Sequence, residues 1–154
     1  MEAWPPPVYR VRTTFRAPLP FVYAWCTKFT AEDAALEHDD YVRRVISQRR
    51  QRVVFEDLYT RPTGWLWQRA TITLRPPDRW HAEIHGNLRD WTLDYELRAI
   101  GKERTELTIR GRRRPFEKGT RNPARRGIER EIATGWKHFG AALEREYRRR
   151  QRRR

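Results

Sequence analysis

The stretch DWTLDYELRAIGKERTELTIRG, residues 90–111, decides the fold class of this 154-residue chain. Apolar and polar side chains alternate on both sides of the short break Gly101-Lys102-Glu103. Alternation with a period of two indicates a strand with one buried and one solvated face, and the Gly-containing break predicts a hairpin. Two antiparallel strands are expected, with an inner face of Trp91, Leu93, Tyr95, Leu97, Ala99, Thr105, Leu107, Ile109 and Gly111.

The hairpin is the end of a longer meander. Residues 8–16 alternate in the same way and predict a first strand. Turn-forming Pro, Gly, Asn and Asp residues divide the chain after Asp40 into successive segments. The predicted meander strands are 41–49, 52–60, 65–75, 79–87, 90–100 and 104–114.

The strand 65–75 has a mixed pattern. One inner face is favoured by Leu66, Ala70, Ile72 and Leu74, but Trp65 and Trp67 lie in the opposite phase. Two explanations remain open, namely a β-bulge near residues 68–69 or two indoles that cover the outer face.

Helices are predicted on either side of the meander. Two short ones, 21–29 and about 30–37, follow the first strand, and the second begins at a capping-box-like Thr30. At the other end, Asn122 is a good N-cap and Pro123 a good first helical residue. Ile128, Ile132, Gly135, Phe139 and Leu143 then recur at helical spacing, flanked by Trp136 and Tyr147.

The last helix is predicted to span roughly 27 residues, or about 40 Å, so its final Arg turns are expected to fray beyond the domain. It is the only predicted element long enough to cover one face of a seven-stranded curved sheet. The sequence therefore predicts an α+β fold in which an antiparallel sheet wraps around a long C-terminal helix.

This order resembles the START-like, or helix-grip, superfamily (SRPBCC), which includes polyketide cyclase/dehydrase and lipid-transport proteins. Three segments carry the resemblance in order: FRAPLPFVYAWCTKF (15–29), DWTLDYELRAIGKERTELTIRG (90–111) and GWKHFGAALEREYRR (135–149). The Arg-rich segment 110–126 and the C-terminal tail depart from it. The resemblance implies a cavity for an apolar ligand more strongly than it implies catalysis.

Such a cavity would lie between the sheet and the last helix. Gly135 is the most informative position, because a helix-interior Gly costs roughly 1 kcal/mol against Ala. Its place in the apolar stripe suggests that a sheet Trp or a ligand approaches the backbone. The predicted lining, which would equally serve as plain core, is Trp80, Ile84, Trp91, Leu93, Tyr95, Leu107, Ile109, Ile128, Ile132, Gly135, Trp136, Phe139 and Leu143.

Polar groups inside the cavity depend on strand register. Asp57 and Tyr59 share the phase of Val53 and Phe55, and a bulge would also turn Arg69 inward. These three are the predicted acid/base or ligand-anchoring group. The opposite register, with Val54 and Leu58 inward, stays open.

Other reactive side chains favour structural roles. His81, Glu83 and His85 share one strand face, but that face is opposite Trp80 and Ile84 and so faces solvent. Cys26, the single cysteine, sits on an apolar helix and is read as a small core residue. No metal, cofactor or catalytic motif is expected.

The net charge of +14 is concentrated in two places: residues 1–109 carry +2, 110–126 carry +7 and 145–154 carry +6. Domain boundaries are expected at 1–147 for the START-like domain and 148–154 for a basic tail. The Arg clusters could contact anionic membranes or, as a second choice, nucleic acid. The Trp residues do not interleave with them, as a stacking platform for single strands would require.

The sequence thus favours binding or transport of a hydrophobic small molecule or lipid, and it favours a binding protein over an enzyme. A polyketide cyclase-like enzyme, an anionic-surface or nucleic-acid binder and a co-chaperone-like interaction module are the alternatives. A monomer or homodimer is expected. A cytoplasmic location is expected because there is one cysteine and neither a long apolar run nor a secretory-type N-terminal segment.

Overall fold

The alternating segments form a seven-stranded antiparallel sheet, and the α+β helix-grip architecture is confirmed. The computed structural model describes residues 8–62, 64–87, 89–115 and 125–154, with the side chain of Pro115 excepted. The predicted helix start at Asn122 and Pro123 lies outside the described residues. The strands are β1 (Tyr9–Phe15), β2 (Tyr41–Arg49), β3 (Arg52–Arg61), β4 (Gly64–Arg75), β5 (Arg79–Gly86), β6 (Arg89–Gly101) and β7 (Arg104–Pro115).

The helices are α1 (Leu19–Cys26), α2 (Asp33–Glu37) and α3 (Arg125–Arg152). Strand order is β1-β7-β6-β5-β4-β3-β2, so each meander strand pairs with its neighbour in sequence. The exception is β1, which pairs with β7 and brings Phe15 opposite Thr105. None of the described helices has the length and hydropathy that crossing a membrane requires.

The inner faces follow the phases expected from the sequence. Trp91, Leu93 and Leu97 of β6 are buried, as are Leu107 and Ile109 of β7. Burial of these apolar side chains away from water supplies the main stabilisation of such a sheet. The hairpin stretch 90–111 is therefore the two-strand unit that the alternation predicts.

The mixed pattern of β4 is resolved by its register. Pairing with β3 runs without a shift from Arg52–Thr73 to Arg61–Gly64, so no bulge interrupts β4. Leu66 is buried, whereas Trp65 is 62% exposed on the outer face. The second of the two explanations, indoles on the outer face, therefore holds.

Helix α1 begins two residues earlier than predicted. Pro18 stands at the N-cap and Pro20 lies inside the first turn, where a missing N–H breaks no helical hydrogen bond. The helix ends at Cys26, because Thr27 turns its backbone N–H and its hydroxyl back to the Tyr23 carbonyl. The prolines thus start the helix rather than precede it.

The C-terminal turns of α3 do not fray where expected, because the helix continues to Arg152. Glu146 accepts hydrogen bonds from Arg149 and Arg150, which lie one turn further along. The guanidinium of Arg150 also lies 5.3 Å from the ring centre of Phe21. The domain boundary at residue 147 stays a prediction.

Helix α3 packs against β1, α1 and α2. It comes close to the sheet at Gly140, where a Cβ atom would stand 2.9 Å from Cε1 of Phe15. Real Cβ atoms essentially never come this close to a neighbour. The absence of a side chain at this position therefore permits the observed packing of α3 on β1.

We predict that Gly140→Ala destabilises the fold by about 1–3 kcal/mol, because overpacking must shift Phe15 or the helix. Gly127→Ala on the same helix is the matched control, since no described atom lies within 4 Å of its Cβ position. It should stabilise by up to about 1 kcal/mol through helix propensity. Equal effects of the two changes in urea unfolding would contradict the close contact at Phe15.

Candidate functional site

A cavity of about 270 Å³ lies between the inner face of β3–β6 and α3. Strands β3 to β6 supply its floor, and one face of α3 supplies its roof. Gly135 borders it, and apart from its chain neighbours and the adjacent backbone of α3 itself no described atom lies within 4 Å of where its Cβ would be. No sheet Trp therefore approaches Gly135, and open space lies beside it; the approach of a ligand stays a prediction.

Nine of the predicted apolar lining positions border the cavity: Trp80, Ile84, Trp91, Leu93, Tyr95, Ile132, Gly135, Trp136 and Phe139. Leu107, Ile109 and Leu143 do not border it and are fully buried in the core. The same is true of Ile128. Strand β7 lies next to β1, on which α3 packs, so the inner residues of β7 meet close packing instead of space.

Aromatic rings form one wall of the cavity. Trp80 and Tyr95 stack with centroids 4.8 Å apart and planes within 8° of parallel. Trp136 of α3 contacts Tyr95 at 6.0 Å and Phe139 at 5.3 Å. Burial raises the pKa of the Tyr95 phenol, which therefore stays neutral. Stacked and edge-on contacts of this kind fix the orientation of each ring, so the rings form a well-defined apolar wall.

An ionic network occupies the β2–β3 side of the cavity. Arg43 stands opposite Asp57 in the register and donates from Nε and Nη2 to its two carboxylate oxygens, at 2.8 and 2.9 Å. Its Nη1 reaches Asp33 of α2. Burial opposes the charge of Arg43, but the hydrogen bonds and charges of its partners raise its pKa overall. The inward register of Asp57 is therefore the one observed, and its side chain is only 1% exposed.

Arg43 was missed from sequence, because β2 shows no clear alternation and one more Arg in an Arg-rich strand carries no signal. Arg69 was placed wrongly. Without a bulge in β4 it keeps the phase of Trp65 and Trp67, so it lies on the outer face and pairs with Glu56 at 2.7 Å. Tyr59 does line the cavity, where burial raises the pKa of its phenol.

Glu37, the last residue of α2, also lines the cavity and was not predicted. Burial raises the pKa of its carboxyl to about 7, and Arg43 offsets part of that effect. Asp33, one turn earlier, also has a pKa raised by burial. Near neutral pH, Glu37 is therefore poised between its protonated and ionised forms, as a general acid or base must be.

Two further arginines, Arg89 and Arg113, lie on the inner face beside Trp91. Arg89 lines the cavity two residues before Trp91, and Arg113 stands opposite Trp91 in the β6–β7 register. Their guanidinium carbons lie 5.3 and 4.8 Å from the indole centre. Neither was named from sequence, although Arg113 is in phase with Ile109 and Gly111.

The remaining reactive side chains are poorly placed for catalysis, although Cys26 borders the cavity. Cys26 is fully buried, and burial raises the pKa of its thiol, which disfavours the thiolate. His81 and His85 face the outer side of the sheet, where Nδ1 of each contacts a β6 carboxylate, Asp94 at 2.7 Å and Asp90 at 3.1 Å. The described residues contain no group of three side chains placed to hold a metal ion.

Comparisons with known proteins agree on the fold. No protein-family model matches the sequence, and no curated protein matches it either. The Zhui aromatase/cyclase from a Streptomyces strain superposes with a TM-score of 0.73 at 13% identity over 94% of both chains. The chain has the START-like helix-grip fold. A START superfamily protein from Mycobacterium smegmatis gives 0.68 at 8% identity over 92% of this chain and 97% of that one.

A third solved structure, Ara h 8.0201, has a TM-score of 0.70 at 8% identity over 89% of this chain and 97% of its own. Identities this low establish shared architecture and carry no residue-by-residue function. Within the START-like fold, the contents of the cavity must therefore be argued from this chain's own side chains.

We predict that Arg43→Met destabilises the protein by about 3–5 kcal/mol, because it leaves the carboxylates of Asp57 and Asp33 without their partner. Arg44→Met is the matched control on the same strand. The Arg44 side chain is 75% exposed and pairs with Glu56 at 3.2 Å, so its loss should cost about 0–1 kcal/mol. If both variants lost a similar free energy of unfolding in chemical denaturation, the buried network would contribute no more to stability than an exposed ion pair.

We predict a pH-dependent gain from Glu37→Gln. The carboxyl has a higher pKa in the folded state than its usual 4.5, so ionisation opposes folding as pH rises from about 4.5 to about 7. The variant should therefore gain on the order of 2 kcal/mol relative to wild type between pH 4.5 and pH 8. A difference in unfolding free energy that stays constant with pH would contradict a buried, protonated Glu37.

Proposed function

We propose that this protein binds a hydrophobic small molecule or lipid in the cavity under α3 and carries or sequesters it. The observation that supports the proposal best is open space beside Gly135, enclosed by the stacked pair Trp80–Tyr95 and by Trp136. Aromatic side chains line the cavity beside Gly135, and charged side chains such as Glu37 and Arg43 line another part of it. Small-molecule sites combine apolar surface with polar groups that orient the ligand. Burying about 200 Å² of apolar ligand surface would contribute about 5 kcal/mol.

The proposal is tested with N-phenyl-1-naphthylamine, a neutral dye that fluoresces in apolar surroundings. Gly135→Leu should project a side chain into the open space and weaken dye binding at least ten-fold, with the melting temperature maintained. Ala133→Leu is the matched control, because Ala133 is an exposed neighbour on the same helix. Undiminished dye binding by a well-folded Gly135→Leu protein would contradict a ligand site at this position.

A second candidate function is acid/base catalysis in the same cavity. The observation that favours it is Glu37, whose pKa of about 7 suits proton transfer near neutral pH. Tyr59 and Tyr95 border the same space as neutral hydrogen-bond donors. One solved structure with the same fold is described as an aromatase/cyclase, so this fold can carry an enzyme site.

Hydrogen–deuterium exchange at the central carbon of benzoylacetone, a β-diketone, would measure such catalysis. An enzyme of this kind should accelerate exchange, and Glu37→Gln should abolish the acceleration without loss of dye binding. Exchange at the buffer rate with wild-type protein would leave the binding function as the sole proposal.

A further inference from the structure

Two arginines beside Trp91, the half-buried Arg89 that lines the cavity and the buried Arg113, are incompletely satisfied among the described residues. We propose that Arg89 and Arg113 hold the anionic head group, a carboxylate or a phosphate, of an otherwise apolar ligand. This inference rests on the proposed binding function and adds the chemical class of the ligand.

The register of the sheet places both guanidiniums together. Trp91 stands opposite Arg113, and Arg89 lies two residues before Trp91, so all three side chains project from the inner face. Both guanidiniums lie within 5.3 Å of the same indole centre. Trp91 itself borders the cavity, so the charged pair stands at the edge of the apolar space.

The pair lacks the partners that buried cations normally have. Arg113 is only 3% exposed, and its Nη1 has no hydrogen-bond partner among the described residues. Nε of Arg89 likewise has no hydrogen-bond partner within the residues that the structure describes. A buried donor without an acceptor, on a charged group, costs free energy that a bound anion would recover.

The surrounding charges leave an anion site open. Burial and mutual repulsion lower the pKa of Arg89, and burial lowers the pKa of Arg113. Glu131 of α3 acts on both charges, but it is exposed to solvent. Arg61, the third cation on this side, already pairs with Asp39 at 3.5 Å.

Arg43 shows how the same protein satisfies a buried arginine when the role is structural. It has two carboxylate partners, Asp57 and Asp33, and three of its nitrogens donate to them. By contrast, Nε of Arg89 and Nη1 of Arg113 each lack a hydrogen-bond partner within the described residues. Two guanidiniums with free donors match the two or three oxygens of a carboxylate or phosphate.

Displacement of N-phenyl-1-naphthylamine at pH 7.5 tests the inference with three ligands that share one ten-carbon chain. Decanoic acid and decyl phosphate carry the anion, and decan-1-ol does not. Wild-type protein should bind at least one of the two anions ten-fold or more tightly than the alcohol. The tighter of the two identifies the head group as carboxylate or phosphate.

Arg89→Met and Arg113→Met should each reduce that preference at least five-fold and leave decan-1-ol binding unchanged. Arg69→Met is the matched control, because it removes the same charge from the outer face and should keep the preference. Since a buried cation without a full set of partners opposes folding, Arg113→Met should also keep or raise the melting temperature.

Three results would overturn the inference. The first is equal affinity of wild-type protein for anions and alcohol, which leaves the apolar cavity in place without an anion site. The second is a preference that survives both Met variants, which would assign it to the general positive charge of the chain. The third is a lower melting temperature of Arg113→Met with unchanged selectivity, which would make Arg113 a structural partner of Trp91. Failure of the dye itself to bind would instead reject the proposed function.

Discussion

The close packing of α3 on β1 depends on Gly140, whose missing side chain makes room for the ring of Phe15. Because Gly140 has no side chain, the helix comes close to β1 at that point. Gly135 lies five residues earlier, roughly 7.5 Å along the helix axis, and faces open space. Two glycines on one helix therefore have opposite roles, since one allows close packing and the other leaves room for a ligand.

The cavity that results holds two kinds of ionic environment. On the β2–β3 side, Arg43 is neutralised by Asp57 and Asp33, and this network closes the gap between α2 and the sheet. On the side of Trp91, Nε of Arg89 and Nη1 of Arg113 have no hydrogen-bond partner among the described residues. Because desolvated charges are stable only with partners, the first environment is complete within the described residues, and the proposed anion would complete the second. This asymmetry would give an elongated ligand a direction, with its apolar part along the aromatic wall.

Sequence periodicity was sufficient for the architecture and for nine of the thirteen predicted apolar lining positions. Trp91, Leu93 and Tyr95 alternate clearly because one face of β6 is solvated, and such a strand shows its inner face directly. The polar residues that line the cavity were harder to predict from the sequence. Asp57 was found from its phase with Val53 and Phe55, but Arg43 lies on a strand without alternation, and its role depends on a cross-strand partner.

Arg69 shows the limit of the same reasoning. Its predicted inward position required a bulge, and one residue of register decides which face a side chain occupies. The pattern of β4 alone could not decide between a bulge and indoles on the outer face. Both are unusual, since a regular strand seldom contains a bulge and a Trp such as Trp65 is seldom exposed. Glu37 was missed for another reason: a five-residue helix is too short for its buried side to show as a periodic stripe.

In the Arg-rich segment after Ile109, the fold places neighbouring arginines on opposite faces of the sheet. As a sequence, 110–126 is a +7 segment that suggests an anionic surface as partner. In the structure its first part belongs to β7, where alternation turns Arg113 toward Trp91 on the inner face, while Arg112 and Arg114 take the opposite phase. Part of the charge that suggested an external polyanion is thus directed inward. An anion bound between Arg113 and Arg89, as proposed above, would use part of this charge inside the fold, and the excess of positive charge elsewhere would draw that anion toward the protein.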